Sequence, residues 1–426
     1  MQDERLSHPK PGGDDFPLGF KEFIALIAGL MAMNALSIDP MLPALPAIGA
    51  ALGVDHPNDR QWIITAYFIG LGVGSLIYGS LSDRYGRRPV LVISLILMLL
   101  ATLACALAPT FAIMLVARAA AGFFAAAARV IAVSIVRDRF KGDSMARIMS
   151  IVFIVFMLVP VLAPSFGQFI LLFAPWRWIF GVLLVIGTIV LIWVARRLPE
   201  TLDPAHRVEI QAGDISRMLW TVVSHRTSIG YMTATGVVMG GMIGFLTSAQ
   251  QIFFDVFHAP AIFPFAFAGI AGSMAIGSYF NSRLVHRMGA RRVSQSALVA
   301  FIALGAGHTL TAWAGVETMV SFIAFQSLTM LSVALTGSNF GAISMEPFAR
   351  GAGLASSFQA SLTTIVSAML GAATGAMFNG TTLPVALGFF CYGILALLLV
   401  AWAERWRLFT RPNHGEMRDS AAGMIH

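Results

Sequence analysis

The sequence predicts an all-α membrane protein, with twelve transmembrane helices in two pseudo-symmetric six-helix bundles. Of 426 residues, 57% are hydrophobic and 12% are charged, against about 25% charged in a soluble domain. Water is therefore not the solvent for most of the surface. The apolar residues gather into twelve runs close to the length of about 20 residues that crosses a bilayer. A charged turn beginning at Gly79 returns at Gly277, which gives the chain a six-helix period.

The runs are Phe20 to Leu42, Trp62 to Leu81, Val90 to Ala108, Phe111 to Val136, Ile148 to Phe173 and Trp178 to Val194. Six more follow: Ser228 to Phe253, Pro260 to Phe280, Val293 to Trp313, Met319 to Ile343, Leu354 to Met377 and Val385 to Trp402. The expected divisions are a polar tail over 1–19, a first bundle over 20–195, a linker over 196–226, a second bundle over 227–405 and a tail over 406–426. The linker carries "LPETLDPAH" and is expected to form a short surface helix around Asp214 to Leu219. No small-residue cleavage pattern precedes Phe20, so the first run reads as an uncleaved helix.

Basic residues orient the spans. With the N-terminus inside, 24 of the 28 Lys and Arg fall on the cytoplasmic side, in tails or loops or, for Lys21, at the cytoplasmic end of the first run, which is the positive-inside bias. Both termini are then cytoplasmic, in a multi-pass protein. The formal charge of +7 is spread between apolar runs, which suits lipid headgroups and not nucleic acid.

Other chemistry finds little support. "GLGVG", Gly70 to Gly74, lies inside a span and not after a strand, and no phosphate loop ends in Gly-Lys-Ser/Thr, so ATP is not expected to drive the protein. No His, Cys and carboxylate residues are spaced for a metal. Cys105 and Cys391 sit in spans and support no disulfide scaffold, while His286 and His308 read as interfacial or structural. No cofactor is expected.

The turn "GSLSDRYGRR", Gly79 to Arg88, places Asp83 between small residues and Arg84, Gly86, Arg87 and Arg88. Its glycines permit a tight turn and close helix approach. It reads either as a topology-setting basic loop or as a clasp that holds one conformation of two rocking bundles. Arg137, Asp138 and Arg139 in "VRDRF" are expected beside it. The second copy, "GSYFNSRLVHRMGARR", has Asn281 where the first has aspartate, so a weaker clasp is expected there.

Asp39 is the acid that lies clearly within a span. An ionised carboxylate there is costly and marks a functional site by default. It either takes part in proton or substrate coupling or merely ends the first helix before Pro40, Pro43 and Pro46. Arg118 lies seven residues into the fourth run, about 10 Å along the helix, a depth similar to that of Asp39; a structural network of the arginine with backbone groups is the plainer reading of it. Arg129, deeper on the same helix, reads first as snorkelling to the cytoplasmic interface, with a second cationic gate residue as the alternative. Pro160, Pro164 and Gly167 in the fifth run suggest a bendable, closely approached helix. Gly236, Gly240 and Gly244 share a packing face of the seventh. Asn34, Tyr67, Gln250, Gln326, Asn339 and Gln359 are polar members of apolar helices and are the candidate cargo contacts, with Phe and Met residues forming a deformable pocket.

The first turn resembles the major facilitator superfamily pattern Gly-x-Leu-x-Asp-Arg-x-Gly-Arg-Arg at Gly79, Leu81, Asp83, Arg84, Gly86, Arg87 and Arg88. "DPMLPALPAI" from Asp39, "VARAAAG" from Val116, "VRDRF" from Val136, "PVLAPSFG" from Pro160 and "AGLASS" from Ala352 resemble the twelve-span drug:proton antiporters, especially their bicyclomycin and chloramphenicol resistance-like branch. The similarity runs over about residues 20–405. It implies proton-coupled efflux of small amphipathic compounds by alternating access in a bacterial inner membrane, with protons as coupling ion and Asp39 and Arg118 as coupling residues. Asp83 and its arginines, Arg137, Asp138 and the proline–glycine segment of helix five become gating elements. Two positions depart from the family pattern: Ala121 stands where glutamine is frequent, and Gln168 where a glycine is. A proton-linked metabolite importer and a non-transporting sensor are the rival readings. The chain contains both expected bundles, so a monomer is expected.

Overall fold

A chain in lipid must satisfy its backbone internally, which leaves helices as the solution for runs of this kind. The computed structural model describes residues 17–140, 142–203, 207, 219–348 and 352–410. The long helices are α1 (Phe20–Leu36), α2 (Trp62–Tyr85), α3 (Arg87–Leu107), α4 (Phe111–Arg139), α5 (Gly142–Phe173) and α6 (Arg177–Arg197), followed by α7 (Arg226–Gln251), α8 (Phe263–Met288), α9 (Ala290–Trp313), α10 (Met319–Met345), α11 (Ala352–Ala376) and α12 (Leu383–Ala403). Among the described residues, eleven helices are long and apolar enough to cross a membrane, and α5 adds the apolar section Leu158–Phe173. Apart from Leu219, the surface helix expected around Asp214 lies outside the described residues, as do most of both tails.

The first expected run does not continue as one helix to Leu42. α1 stops at Leu36, a 3-10 turn occupies Asp39–Ala44, and a seven-residue helix follows over Leu45–Ala51. Pro40 and Pro43 lack the donors that α1 needs to go on. The Ser37 hydroxyl donates to the Met33 carbonyl at 2.7 Å, closing the helix end. In α5, by contrast, the helix runs through Pro160 and Pro164 without interruption. It packs against α1, the Asp39–Ala44 turn and α8, and such neighbours let a membrane helix tolerate proline.

Glycine sets the closest approaches. A Cβ on Gly122 of α4 stands 2.0 Å from the Tyr67 carbonyl oxygen, and one on Gly70 of α2 stands 1.9 Å from that of Ala119. The "GLGVG" segment thus serves two neighbours, because a Cβ on Gly72 falls 2.6 Å from the Ile365 side chain of α11. Gly236, Gly240 and Gly244 face Val366, Leu370 and Thr374 of α11, so they are packing residues. Gly167 of α5 lies under the Asp39–Ala44 turn, where a Cβ falls 1.9 Å from the Pro40 carbonyl oxygen.

Within the first half, α4 packs on α1, α2 and α3, and α3 on α6; within the second, α7 packs on α10, α11 and α12, and α10 on α8 and α9. Among the described residues, the most extensive helix contacts between the halves are those of α2 with α11 and of α5 with α8. At the end bearing the charged turn, Gly79 abuts the Ser357 hydroxyl. At the opposite end Asn58 donates to the carbonyls of Ala376 and Phe378 at 3.1 and 2.8 Å, and Gln61 donates to Gln251 at 2.5 Å. Leu107, Phe173, Trp313 and Val320 are among the large apolar side chains left exposed. That exposure is what lipid contact requires.

Candidate functional site

The charged turn is a built structure. Gly86 joins α2 to α3 with φ of +99°, a conformation that favours glycine. Arg87 is 2% exposed and reaches three partners: Asp83 at 2.5 Å, Asp138 at the end of α4 at 3.0 Å and the Ser82 hydroxyl at 2.8 Å. Arg84 points away, over the Tyr85 ring, and Arg88 donates to the Ala195 carbonyl of α6 at 2.7 Å. Asp138 therefore meets the turn as expected from the sequence. Arg137 does not; it lines a cavity described below.

The residue that sequence reasoning missed here is Glu200. Its carboxylate accepts the backbone N–H groups of Arg87, Arg88, Thr201 and Leu202 at 2.9 to 3.2 Å. It thus caps α3, where donors are otherwise orphaned and negative charge is favoured. A Cβ on Gly86 falls 2.5 Å from a Glu200 oxygen, so glycine is required there twice over. Glu200→Ala is expected to lower unfolding stability by about 1 kcal/mol, the usual cost of losing a cap. Thermal unfolding in detergent reads the change, and an unchanged midpoint contradicts it.

The second half repeats the geometry with other residues. Gly289 joins α8 to α9 with φ of +83°. Arg291 contacts Glu346 at 2.7 Å and Glu404 at 2.8 Å, and Tyr231 donates to the same Glu404 at 2.9 Å. Where the first turn has Asp83, the second has Asn281, and the partners of its arginine are two glutamates at the ends of α10 and α12. Asn281 itself pairs sideways with Ser338 and Asn339 of α10 at 3.0 and 2.6 Å.

A second polar layer lies in the first half near the Asp39 turn. Arg118 is 2% exposed; it donates to the carbonyls of Ser37 at 2.9 Å and Ile63 at 3.2 Å and stands 4.5 Å over the Tyr67 ring. Its other terminal nitrogen, Nη2, has no hydrogen-bond partner. The Tyr67 hydroxyl donates to Asn34 at 3.4 Å. Arg118 thus pins the end of α1 to the start of α2 through α4. The similar depth of Asp39 and Arg118 does not become an ion pair: Asp39 is 6% exposed and has no side-chain hydrogen bond or ion pair among the described residues. The Ser37 carbonyl, at the broken end of α1, is a free acceptor, and it takes the guanidinium together with the Ile63 carbonyl in the first turn of α2.

The other cargo candidates scatter. Gln250 is buried in α7, and Gln326, fully buried in α10, leaves both amide atoms unpartnered. Asn339 bonds Asn281 and its own helix, and Gln359 reaches the Gly341 carbonyl at 3.4 Å. None of the six lines the cavity of about 190 Å³ between α2, α4 and α11, whose walls include Asp83, Arg129, Val133, Arg137, Leu354 and Ser357. Among the described residues no group of three or more His, Cys, Asp or Glu is placed to hold a metal.

Residues 25–376 match the family model described as Major Facilitator Superfamily. The chain belongs to that superfamily. This major facilitator chain is 30% identical over 369 residues to an uncharacterised MFS-type transporter, YdgK, of Bacillus subtilis, covering 84% of this chain and 89% of that one. It is 28% identical to a bicyclomycin resistance protein homolog of Haemophilus influenzae, covering 85% and 91%. Two solved structures share its fold: the D-xylose–proton symporter, at 12% identity and a TM-score of 0.69 over 89% of this chain and 97% of that one, and the human organic anion transporter MFSD10, at 16% and 0.67 over 89% and 98%. The protein is accordingly a secondary transporter in contact with lipid, acting on a small molecule, and not an enzyme.

Proposed function

We propose that this transporter exports small amphipathic compounds in exchange for protons, with Asp39 as the proton site. The observation that carries the reading is Asp39 itself: a buried carboxylate without a partner among the described residues, at the start of the 3-10 turn that interrupts the first span. Arrival of one proton changes the charge of this group by one, at a point where α1 is broken and Gly167 of α5 bears on the turn. A change there is placed to move α5, which also contacts α8 of the other half. Arg118 holds the neighbouring helix ends and is the second coupling residue.

In this reading residues 20–195 and 227–405 form two six-helix bundles that rock about the α2–α11 and α5–α8 contacts, in a bacterial inner membrane with both termini cytoplasmic. The charged knots around Arg87 and Arg291 then lie at the cytoplasmic face and clasp one conformation. The monomer is the working unit. Similarity to the bicyclomycin resistance homolog and to the multidrug resistance protein MdtL of Shewanella oneidensis, 30% identical over 51% of this chain, favours efflux. One proton crossing a potential of 100 mV supplies about 2.3 kcal/mol.

Asp39→Asn, made in proteoliposomes, is expected to abolish cargo accumulation driven by a pH gradient while exchange of cargo at equal concentration persists. Undiminished gradient-driven accumulation excludes Asp39 as the proton site.

A further inference from the structure

The cavity between α2, α4 and α11 is lined by two cations without a hydrogen-bond or ion-pair partner among the described residues. Arg129 is half-buried in its wall and Arg137 lies exposed at its margin; among the described residues neither guanidinium has a hydrogen bond or an ion pair. They are eight residues apart, about 12 Å along α4, with Val130 and Val133 between them on the same wall. Asp83, the acid of the cavity, is already held by Arg87 at 2.5 Å. The first turn of α11 forms the facing wall through Gly353 and Leu354, and a helix start favours negative charge.

We infer that this cavity binds the anionic head of an amphiphilic cargo, with Arg129 as its anchor. Arg129 is half-buried in the cavity wall without a hydrogen-bond or ion-pair partner among the described residues, and a carboxylate, sulfonate or phosphate supplies the charge-assisted bonds that it lacks. The cavity volume of about 190 Å³ is below the roughly 300–1,000 Å³ of pockets that enclose a drug-sized ligand, so it takes the head and a short stretch of chain against Val130, Val133 and Leu354. An anion seated there touches α4 of one half and α11 of the other, which couples occupancy to their relative position. The inference deepens the efflux reading by naming the charge class of the cargo.

The test is equilibrium binding of radiolabelled decanoate, decanol and decyltrimethylammonium to the purified protein in phosphatidylcholine nanodiscs. Decanoate is expected to bind at least tenfold more tightly than either analogue. Arg129→Gln should remove that preference, Arg129→Lys should restore part of it, and Arg137→Gln, at an exposed position, should weaken decanoate about threefold. Equal binding of the three probes to the wild type overturns the inference without recourse to any variant, as does unchanged decanoate binding in a folded Arg129→Gln protein. Repeating the measurement with phosphatidylglycerol in the disc separates two sources of the same chemistry: competition identifies a lipid headgroup as occupant, and undiminished decanoate binding identifies free cargo. The assay uses no gradient. Selective binding without proton-driven flux leaves the inference standing and removes the efflux reading, while proton-driven export of a cation alone does the reverse.

Discussion

Gly122→Val is expected to leave little folded protein. A Cβ at this position lies 2.0 Å from the Tyr67 carbonyl oxygen and 3.1 Å from the Leu71 nitrogen, and one on the reciprocal Gly70 lies 1.9 Å from the Ala119 carbonyl oxygen of α4. Neither obstacle is the flexible end of a side chain. Overpacking a core usually costs about 1–3 kcal/mol, and here the two helices must separate, so the loss should exceed that range. The separation also pulls Tyr67 from beneath Arg118, connecting packing directly to the buried polar layer. Gly29→Val is the matched control, because a Cβ there meets nothing within 4 Å. Monodisperse yield in detergent and the unfolding midpoint decide the matter; a Gly122→Val protein as abundant and stable as Gly29→Val contradicts the packing described.

Arg87→Ala should be the most damaging change among the charged residues. It removes a guanidinium that is 2% exposed and leaves Asp138 facing Asp83 without a cation between them. Breaking one partner of a buried pair costs about 3–5 kcal/mol. Asp83 is more than a third exposed at its side chain, so water recovers part of its loss and the lower end of that range applies. Arg87→Lys should rescue only partly, since an ammonium lacks the planar fork that reaches both acids. The surface pair Arg197–Glu22 at 2.9 Å provides the contrast: its removal should change stability little and in a salt-dependent way. Equal effects of Arg87→Ala and Arg197→Ala on the unfolding midpoint contradict the account of the knot.

Much of the architecture was legible because it follows from one-dimensional patterns. Apolar run length marked every long helix, and the two glycine–arginine turns marked two places, at Gly86 and Gly289, where the backbone takes a positive φ between helices. The prolines after Asp39 signalled a break, although its start at Leu36 depended on the Ser37 hydroxyl. Partners across space were not legible. Arg118 chose carbonyls of Ser37 and Ile63, and carbonyl acceptors have no residue type to announce them. Glu200 looked like one acid in a polar linker until its carboxylate was seen on four backbone amides. Arg129 showed its potential only when its neighbours were known to be spoken for, and Asn339, a polar residue in an apolar helix, turned out to have Asn281 beside it.

The central claim is an exchange of cargo for protons. Its most direct test reconstitutes the purified protein in liposomes, imposes a pH gradient and follows cargo movement together with internal pH, using decanoate, a cationic dye and a neutral antibiotic in turn. The account predicts uphill movement of at least one cargo with a matching proton flux in the opposite direction, both lost on collapsing the gradient. Cargo movement that runs only downhill and leaves internal pH unchanged contradicts it.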